Sequence, residues 1–349
     1  MSRTPAMMKA AVYHGNRQIR LETVPVPRVG PGELLVKVKG CGICATDVSK
    51  VDHALVQPPT VLGHEVAGTV AVQGDNVHGF RVGERVVVSH HVPCYACHYC
   101  KHGNVSMCRT FKTSHIDPGG FAEYIRVPAP NVQYATFPTP PHLEDEEAAF
   151  TEPLACCLRG IKRLGPLLHD TVVLVGLGSI GLMLLQILKL HRVRVIGLDP
   201  LSERLERAKV LGAELTLNPG QPDVLETVRE VTAGRGADAA ILTAGGPQTF
   251  AGTIDLLRDG GVLMLFASDP SQPMAQLDIH QFFHRELGLV SSYSPSTIDL
   301  QEALALLADR TVRVKELVTH REPLAELDRG MRLFRNKEAL KVFIEMENP

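Results

Sequence analysis

The stretch TVVLVGLGSIGLMLLQILKL, residues 171–190, carries no charge before Lys189 and is long enough to cross a bilayer as one helix. Gly176, Gly178 and Gly181 argue against that reading, because they divide it into a β-branched half and a leucine-rich half. The pattern predicts a strand, a tight turn and a helix. The glycines have the spacing G-x-G-x-x-G, and the next apolar run, RVRVIGLD, ends on Asp199, 18 residues after Gly181. In that context the turn is a candidate dinucleotide site. Gly176 permits the turn, Gly178 lets the backbone approach a pyrophosphate, and Gly181 lets helix and strand pack closely. Ser179 and Ile180 open the helix, whose unpaired N–H groups would receive the phosphates. Asp199 is expected to accept hydrogen bonds from ribose hydroxyls, which favours NAD over NADP; Arg204, able to pair with a 2′-phosphate, pulls the other way.

Working outward, strands and helices alternate. SERLERAKVLGA and QTFAGTIDLLRD read as helices, DAAILTAG and GGVLMLFA as strands, so the fold class is α/β with a doubly wound parallel sheet. Upstream, KAAVYHG, ELLVKVKG, VAGTVAVQG, RVVVSH and FAEYIRVPA are short, valine-rich strands punctuated by Gly or Pro. Proline is dense over 128–141, which suggests a surface crossover, and LEDEEAAFTEPLACCLRGIKRL then turns helical. The tail holds one helix, LQEALALLADR, and a last strand, ALKVFIE. The chain of 349 residues has room for two domains, and no repeat or low-complexity tract interrupts it.

The 36 basic and 38 acidic side chains give a net charge of -2, so nothing electrostatic points to nucleic acid or an anionic membrane as partner. Tryptophan is absent and aromatics are 5%, which leaves no stacking platform for single strands. The N-terminal MSRTPAMMKAAVYHG has no apolar run of signal-peptide length, so the expectation is a cytoplasmic protein. Thiols there stay reduced. Four of the eight cysteines, Cys94, Cys97, Cys100 and Cys108, form C-x2-C-x2-C-x7-C, which points to a closed, structural zinc site rather than disulfides.

A second set is dispersed: Cys44 in CGICATD, His64 and Glu65 in VLGHEVAG, and Glu152 in FTEPLACC. Thiolate, imidazole and carboxylate together leave a fourth position open, which is the catalytic pattern for zinc. Asp47, three residues after Cys44, is placed to orient His64.

GHEVAG, GICATD, the four-cysteine lobe and VGLGSIG, in this order, resemble the zinc-dependent medium-chain dehydrogenase/reductase family over essentially the whole chain. The resemblance implies a GroES-like β-barrel catalytic domain interrupted by a Rossmann domain: 1–148 catalytic with the zinc lobe at about 90–110, 149–290 Rossmann, and 291–349 returning to the catalytic domain. It implies two zinc ions per chain, with Cys44 and His64 on the catalytic ion and Glu65 or Glu152 completing the site. The simple-alcohol branch has Cys at the position of Glu152, so the glutamate moves the chain towards polyol, sugar and threonine dehydrogenases. Thr46 matches the hydroxyl that takes the substrate proton. Ser49 stands where many members carry a relay histidine, and His53, Lys50 or a water is the candidate replacement. Thr243, Phe266, Ala267, Ser268 and Ser292 match stretches lining the nicotinamide, and Lys341 matches a basic position near the pyrophosphate. His90, His91 and His98 read as lobe surface, Cys156 and Cys157 as helix packing.

The resulting expectation is an NAD-dependent dehydrogenase of a secondary alcohol or polyol, a homodimer or homotetramer. A threonine- or simple-alcohol-specific enzyme is the alternative within the class, and a zinc- and dinucleotide-binding sensor or scaffold without turnover the alternative outside it.

Overall fold

The computed structural model describes residues 4–267 and 277–346. Two compact units divide the chain: Met1–Ala155 with Pro295–Pro349, and Cys156–Ser294. The divisions fall a few residues after 148 and 290, because the helix Thr151–Leu164 continues unbroken past the first of them.

The inserted unit holds a six-stranded parallel sheet. Numbered along the chain within this unit, its strands lie in the order 3-2-1-4-5-6, the doubly wound arrangement. Its first strand, Thr171–Val175, is central and buried throughout, which is why it reads as an unbroken apolar run. The helix Ser179–Leu190 follows the glycine turn and buries Leu182, Met183, Leu184 and Leu185 completely. Each such side chain stabilises the fold by roughly 1.5–3 kcal/mol. Hydrophobicity on all sides of this helix thus reflects a position inside the protein. Among the described residues no helix is long and apolar enough to cross a membrane.

The turn itself has little freedom. Gly176 has φ +90°, and a Cβ there would lie 2.5 Å from Thr243 Oγ1. A Cβ on Gly181 would meet the Gly176 carbonyl oxygen at 2.0 Å. Gly178 differs: the nearest atom to a Cβ is Arg204 Nη1 at 3.8 Å, so its outer side is open.

The other unit is mainly antiparallel. A seven-stranded sheet is built around Leu34–Gly42, which pairs with Glu65–Gln73, with Tyr124–Val127 and with Lys341–Glu345. Two register shifts bend its pairing with Glu65–Gln73. A three-stranded sheet, Ile19–Pro25, Met7–Tyr13 and Thr60–Val61, packs into the same core. Register sets the site: Gly42 lies opposite Glu65 on one side and Phe343 on the other.

Two expectations change. Residues 128–141 are not a bare crossover: Ala129–Tyr134 is helical and Thr136–Pro138 pairs with Arg85–Val88. The prolines are tolerated because that strand ends the sheet's path. The tail also contains a strand beyond those expected, Val318–Pro323, parallel to Lys341–Glu345.

Gly181→Ala is expected to destabilise the protein by about 1–3 kcal/mol through overpacking of the turn. Gly178→Ala, entering open space, should stay within about 0.5 kcal/mol of the parent. Thermal denaturation of the two variants checks both.

Candidate active site

Cys44 caps the N-terminus of the helix Ala45–Asp52, and its Sγ accepts from the Thr46 N–H at 3.5 Å. Asp47, in the first turn and fully buried, closes the cap by accepting from the Cys44 N–H at 3.1 Å. Its other oxygen accepts from the Gly63 N–H at 3.2 Å and lies 3.3 Å from His64 Nδ1. One carboxylate therefore holds the loop that carries Cys44 to the loop that carries His64. Burial, the largest influence on Asp47, raises its pKa; His64, Lys50 and the Cys44 N–H outweigh it and keep the carboxyl below its usual range. Burial pushes His64 down, but Asp47 and then Cys44 prevail and hold it well above the ordinary histidine value. With Nδ1 directed at Asp47, Nε2 is the nitrogen left to hold a metal.

Donor atoms of Cys44, His64 and Glu65 lie within 4.8 Å of one another, and His64 and Glu65 are buried. The mixture of thiolate, imidazole and carboxylate fits zinc. Glu152 is buried at the start of the helix Thr151–Leu164 but stands outside this three-residue group.

Lys341 has a partner within its own unit that the sequence did not suggest. It is 3% exposed, and its Nζ donates to both Glu65 oxygens at 2.8 and 2.7 Å and to the Ile43 carbonyl at 3.2 Å. The reason is register: Lys341 begins the strand that pairs with the end of Leu34–Gly42, next to Glu65. Burial, the largest influence, disfavours the ammonium; the charges of Glu65, Cys44 and Glu152 outweigh it and raise the lysine pKa.

The second group is Cys94, Cys97, Cys100 and Cys108, whose sulfurs also lie within 4.8 Å of one another, all as free thiols. Backbone N–H groups point inward: Cys94 N donates to Cys108 Sγ and Cys97 N to Cys94 Sγ, both at 3.4 Å. Burial alone would raise Cys108, yet the Cys94 N–H and other donors bring it to about 6; burial and the neighbouring sulfurs push Cys100 to about 12. Four sulfurs that cannot all ionise unaided fit a divalent cation.

In the inserted unit, the helix Ser179–Leu190 has no side-chain cap at Gly178, so its first N–H groups face the open side of the turn and fit a phosphate. Asp199 is 2% exposed; its oxygens accept from the Leu177 and Leu201 N–H groups at 2.8 and 2.9 Å, and Arg204 Nη1 lies 3.6 Å away. Thr243 Oγ1 donates to the Val175 and Gly176 carbonyls. Thr243, Phe266 and Ser292 each follow the carboxyl end of a strand of the parallel sheet, with Ala267 next to Phe266. Ser268 lies outside the described residues.

The histidine reading needs correction as well. His90 is buried and His91 half-buried, so neither is lobe surface; His98 is exposed. The ring of His90 stands 4.7 Å from that of His64 and 3.9 Å from that of His91. His115, which no motif singles out, is 5.7 Å from His90.

Residues 30–137 match the alcohol dehydrogenase GroES-like domain and residues 179–309 the zinc-binding dehydrogenase family. The chain is 33% identical to sorbitol dehydrogenase of Halalkalibacterium halodurans, over 97% of this chain and 99% of that one. It is 32% identical to erythritol/L-threitol dehydrogenase of Mycolicibacterium smegmatis, over 98% of each. A zinc-binding dehydrogenase of Sinorhizobium meliloti 1021, solved bound to NADP, superposes with a TM-score of 0.88 at 30% identity, covering 98% of this chain and 100% of that one.

In zinc-free protein Lys341→Met leaves the Glu65 carboxylate buried without its ammonium partner, and is expected to cost about 3–5 kcal/mol. Adding Glu65→Gln should recover most of that loss. Denaturant midpoints of the single and double variants check the pairing.

Proposed function

This chain belongs to the zinc-dependent medium-chain dehydrogenase/reductase family, and we propose that it oxidises a secondary hydroxyl of a small polyol to a ketone with NAD(P) as hydride acceptor. The observation that carries this reading is the group Cys44, His64 and Glu65, where sulfur, imidazole and carboxylate converge. These three would hold the catalytic zinc, with Glu152 as the further carboxylate near them. Cys94, Cys97, Cys100 and Cys108 would hold the structural one. The likeness to sorbitol and erythritol/L-threitol dehydrogenases supports the polyol class.

When bound, zinc supplies the Lewis acidity that makes an alcohol hydroxyl acidic, and the nicotinamide supplies the hydride acceptor. The chain's own residues do the rest. Asp47 orients His64. Thr46, exposed in the first turn after Cys44, offers Oγ1 to receive the substrate's hydroxyl proton. Ser49 lies three residues on, on the same helix face, and would pass the proton outward to water in place of a relay histidine. Gly178 and the helix N-terminus seat the pyrophosphate. Asp199 favours NAD, a preference that Arg204, 3.6 Å from it, tempers.

Reduced, clustered thiols support a cytoplasmic setting. Among the described residues the strand Gly288–Ser291 ends the parallel sheet with one edge unpaired, and Leu289 on it is exposed, which supports pairing of two copies along that edge.

Metal analysis should find two zinc ions per chain. Cys44→Ser is expected to remove one ion and at least about 100-fold of NAD(P)H production on polyols while the fold persists. Thr46→Val should keep both ions and lower kcat by about 10²-fold. A panel of polyols, simple alcohols and L-threonine, run with and without chelator, decides the substrate class; turnover of ethanol or threonine alone would overturn the polyol reading.

A further inference from the structure

Beside the metal donor group, three imidazoles cluster next to His64. Ring centroids are 4.7 Å apart for His64 and His90, 3.9 Å for His90 and His91, and 5.8 Å for His91 and His115. The reaction outlined above uses none of these three.

The backbone fixes two of their protons. His91 Nδ1 lies 2.5 Å from the Ser114 carbonyl oxygen, and His115 Nδ1 lies 2.5 Å from that of Ile116. A carbonyl can only accept, so each Nδ1 carries the hydrogen. In the neutral ring Nε2 then presents a lone pair, and neither Nε2 has a protein partner among the described residues. The surroundings of both rings disfavour the charged form. Burial, helped by His115 and Lys50, lowers His91 to about 4 against the pull of the Ser114 carbonyl. Partial burial, then Lys50 and His64, lower His115. His90 has the opposite polarity. Its Nδ1 is enclosed without a partner among the described residues. An enclosed N–H without an acceptor is the rarer kind of orphan, so the proton of His90 belongs on Nε2.

We infer that His90, His91 and His115 form a hydroxyl-reading wall of the substrate site, selecting a neutral alcohol with further hydroxyl groups over one that carries a phosphate or carboxylate. The inference rests on the dehydrogenase reading above. A hydroxyl both donates and accepts, so it can give its hydrogen to Nε2 of His91 or His115 and take one from Nε2 of His90. A phosphate or carboxylate oxygen at pH 7 chiefly accepts, so at two of the three rings lone pair meets lone pair. Lys50 is the opposing feature, since its charge bears on all three rings. Its ammonium is equally a donor to a neutral hydroxyl oxygen, and the Asp47 carboxylate already lies within reach of its charge.

The test compares sorbitol and erythritol with their terminal phosphates, with L-threonine and with 2-butanol, using the zinc-loaded enzyme. The free polyols should exceed both their phosphates and 2-butanol in kcat/KM by about tenfold or more. His91→Phe and His115→Phe should each lower polyol kcat/KM by about three- to tenfold, the size of one hydrogen bond, mainly through KM. Turnover of 2-butanol should stay within about twofold, since it has no second hydroxyl to lose. Equal losses on sorbitol and 2-butanol would mark a merely structural role and overturn the inference. So would a preference for the phosphates that Lys50→Met abolishes. Independently of any variant, nitrogen-15 spectra of histidine-labelled wild type should show His91 and His115 as Nδ1–H tautomers at pH 7; Nε2–H or doubly protonated rings would overturn it. If no alcohol is turned over with either nucleotide, the dehydrogenase reading fails instead, and sorbitol-induced shifts of these ring nitrogens then decide the inference alone.

Discussion

The active site depends on one buried carboxylate. Asp47 is enclosed completely, yet its oxygens accept from the backbone of Cys44 and of Gly63 and lie against the ring of His64. Cys44 and His64 belong to different loops, and Asp47 adds a direct link between them to the strand pairing of Gly42 with Glu65. A carboxylate with that many donors is stable in the interior because each partner is placed before the charge needs it. Removing it would loosen the spacing between sulfur and imidazole as well as the orientation of the ring. Asp47 therefore acts on the chemistry without touching the substrate.

How much of this was legible in advance follows from the range of each interaction. The glycine turn was legible because G-x-G-x-x-G, its preceding strand and its following helix are all local. The four-thiol lobe was legible because its spacing fits within 15 residues, and the structure brings those sulfurs together. Cys44, His64 and Glu65 were legible as motifs, and their convergence follows from the pairing of Gly42 with Glu65. Lys341 was legible as a residue, and its pairing with Glu65 was not. Its identity marks a cation, but only the register of the final strand shows that the cation meets Glu65, 276 positions away. The histidines failed for a related reason. A histidine in a loop reads as exposed, and burial of His90 depends on strands and loops drawn from three parts of the chain. The unexpected strand Val318–Pro323 was hidden because its pairing partner, not its own pattern, makes it a strand.

The two zinc-binding groups differ in how the protein surrounds them. The four-thiol lobe has little apolar core: its short helix His98–Lys101 buries nothing, and only a few residues such as Val105 and Phe111 are enclosed nearby. Its order has to come from the ion and from the backbone N–H groups aimed at sulfur. The Cys44 group is embedded in the main core of its unit, among Ile43, Val48, Val51 and Val66. Core packing holds that group without help from an ion.

The ion pair between Glu65 and Lys341 also constrains the order in which the protein comes into being. A ribosome adding about 5–20 residues per second needs on the order of tens of seconds to travel from the glutamate codon to the lysine codon. Throughout that interval the acidic residue lacks the lysine that pairs with it, so a dry interior around it costs more free energy until the last strand arrives. The inserted nucleotide-binding unit emerges whole in the meantime and is free to fold first. The catalytic pocket is thus a late product of translation, finished by the last strand to be threaded.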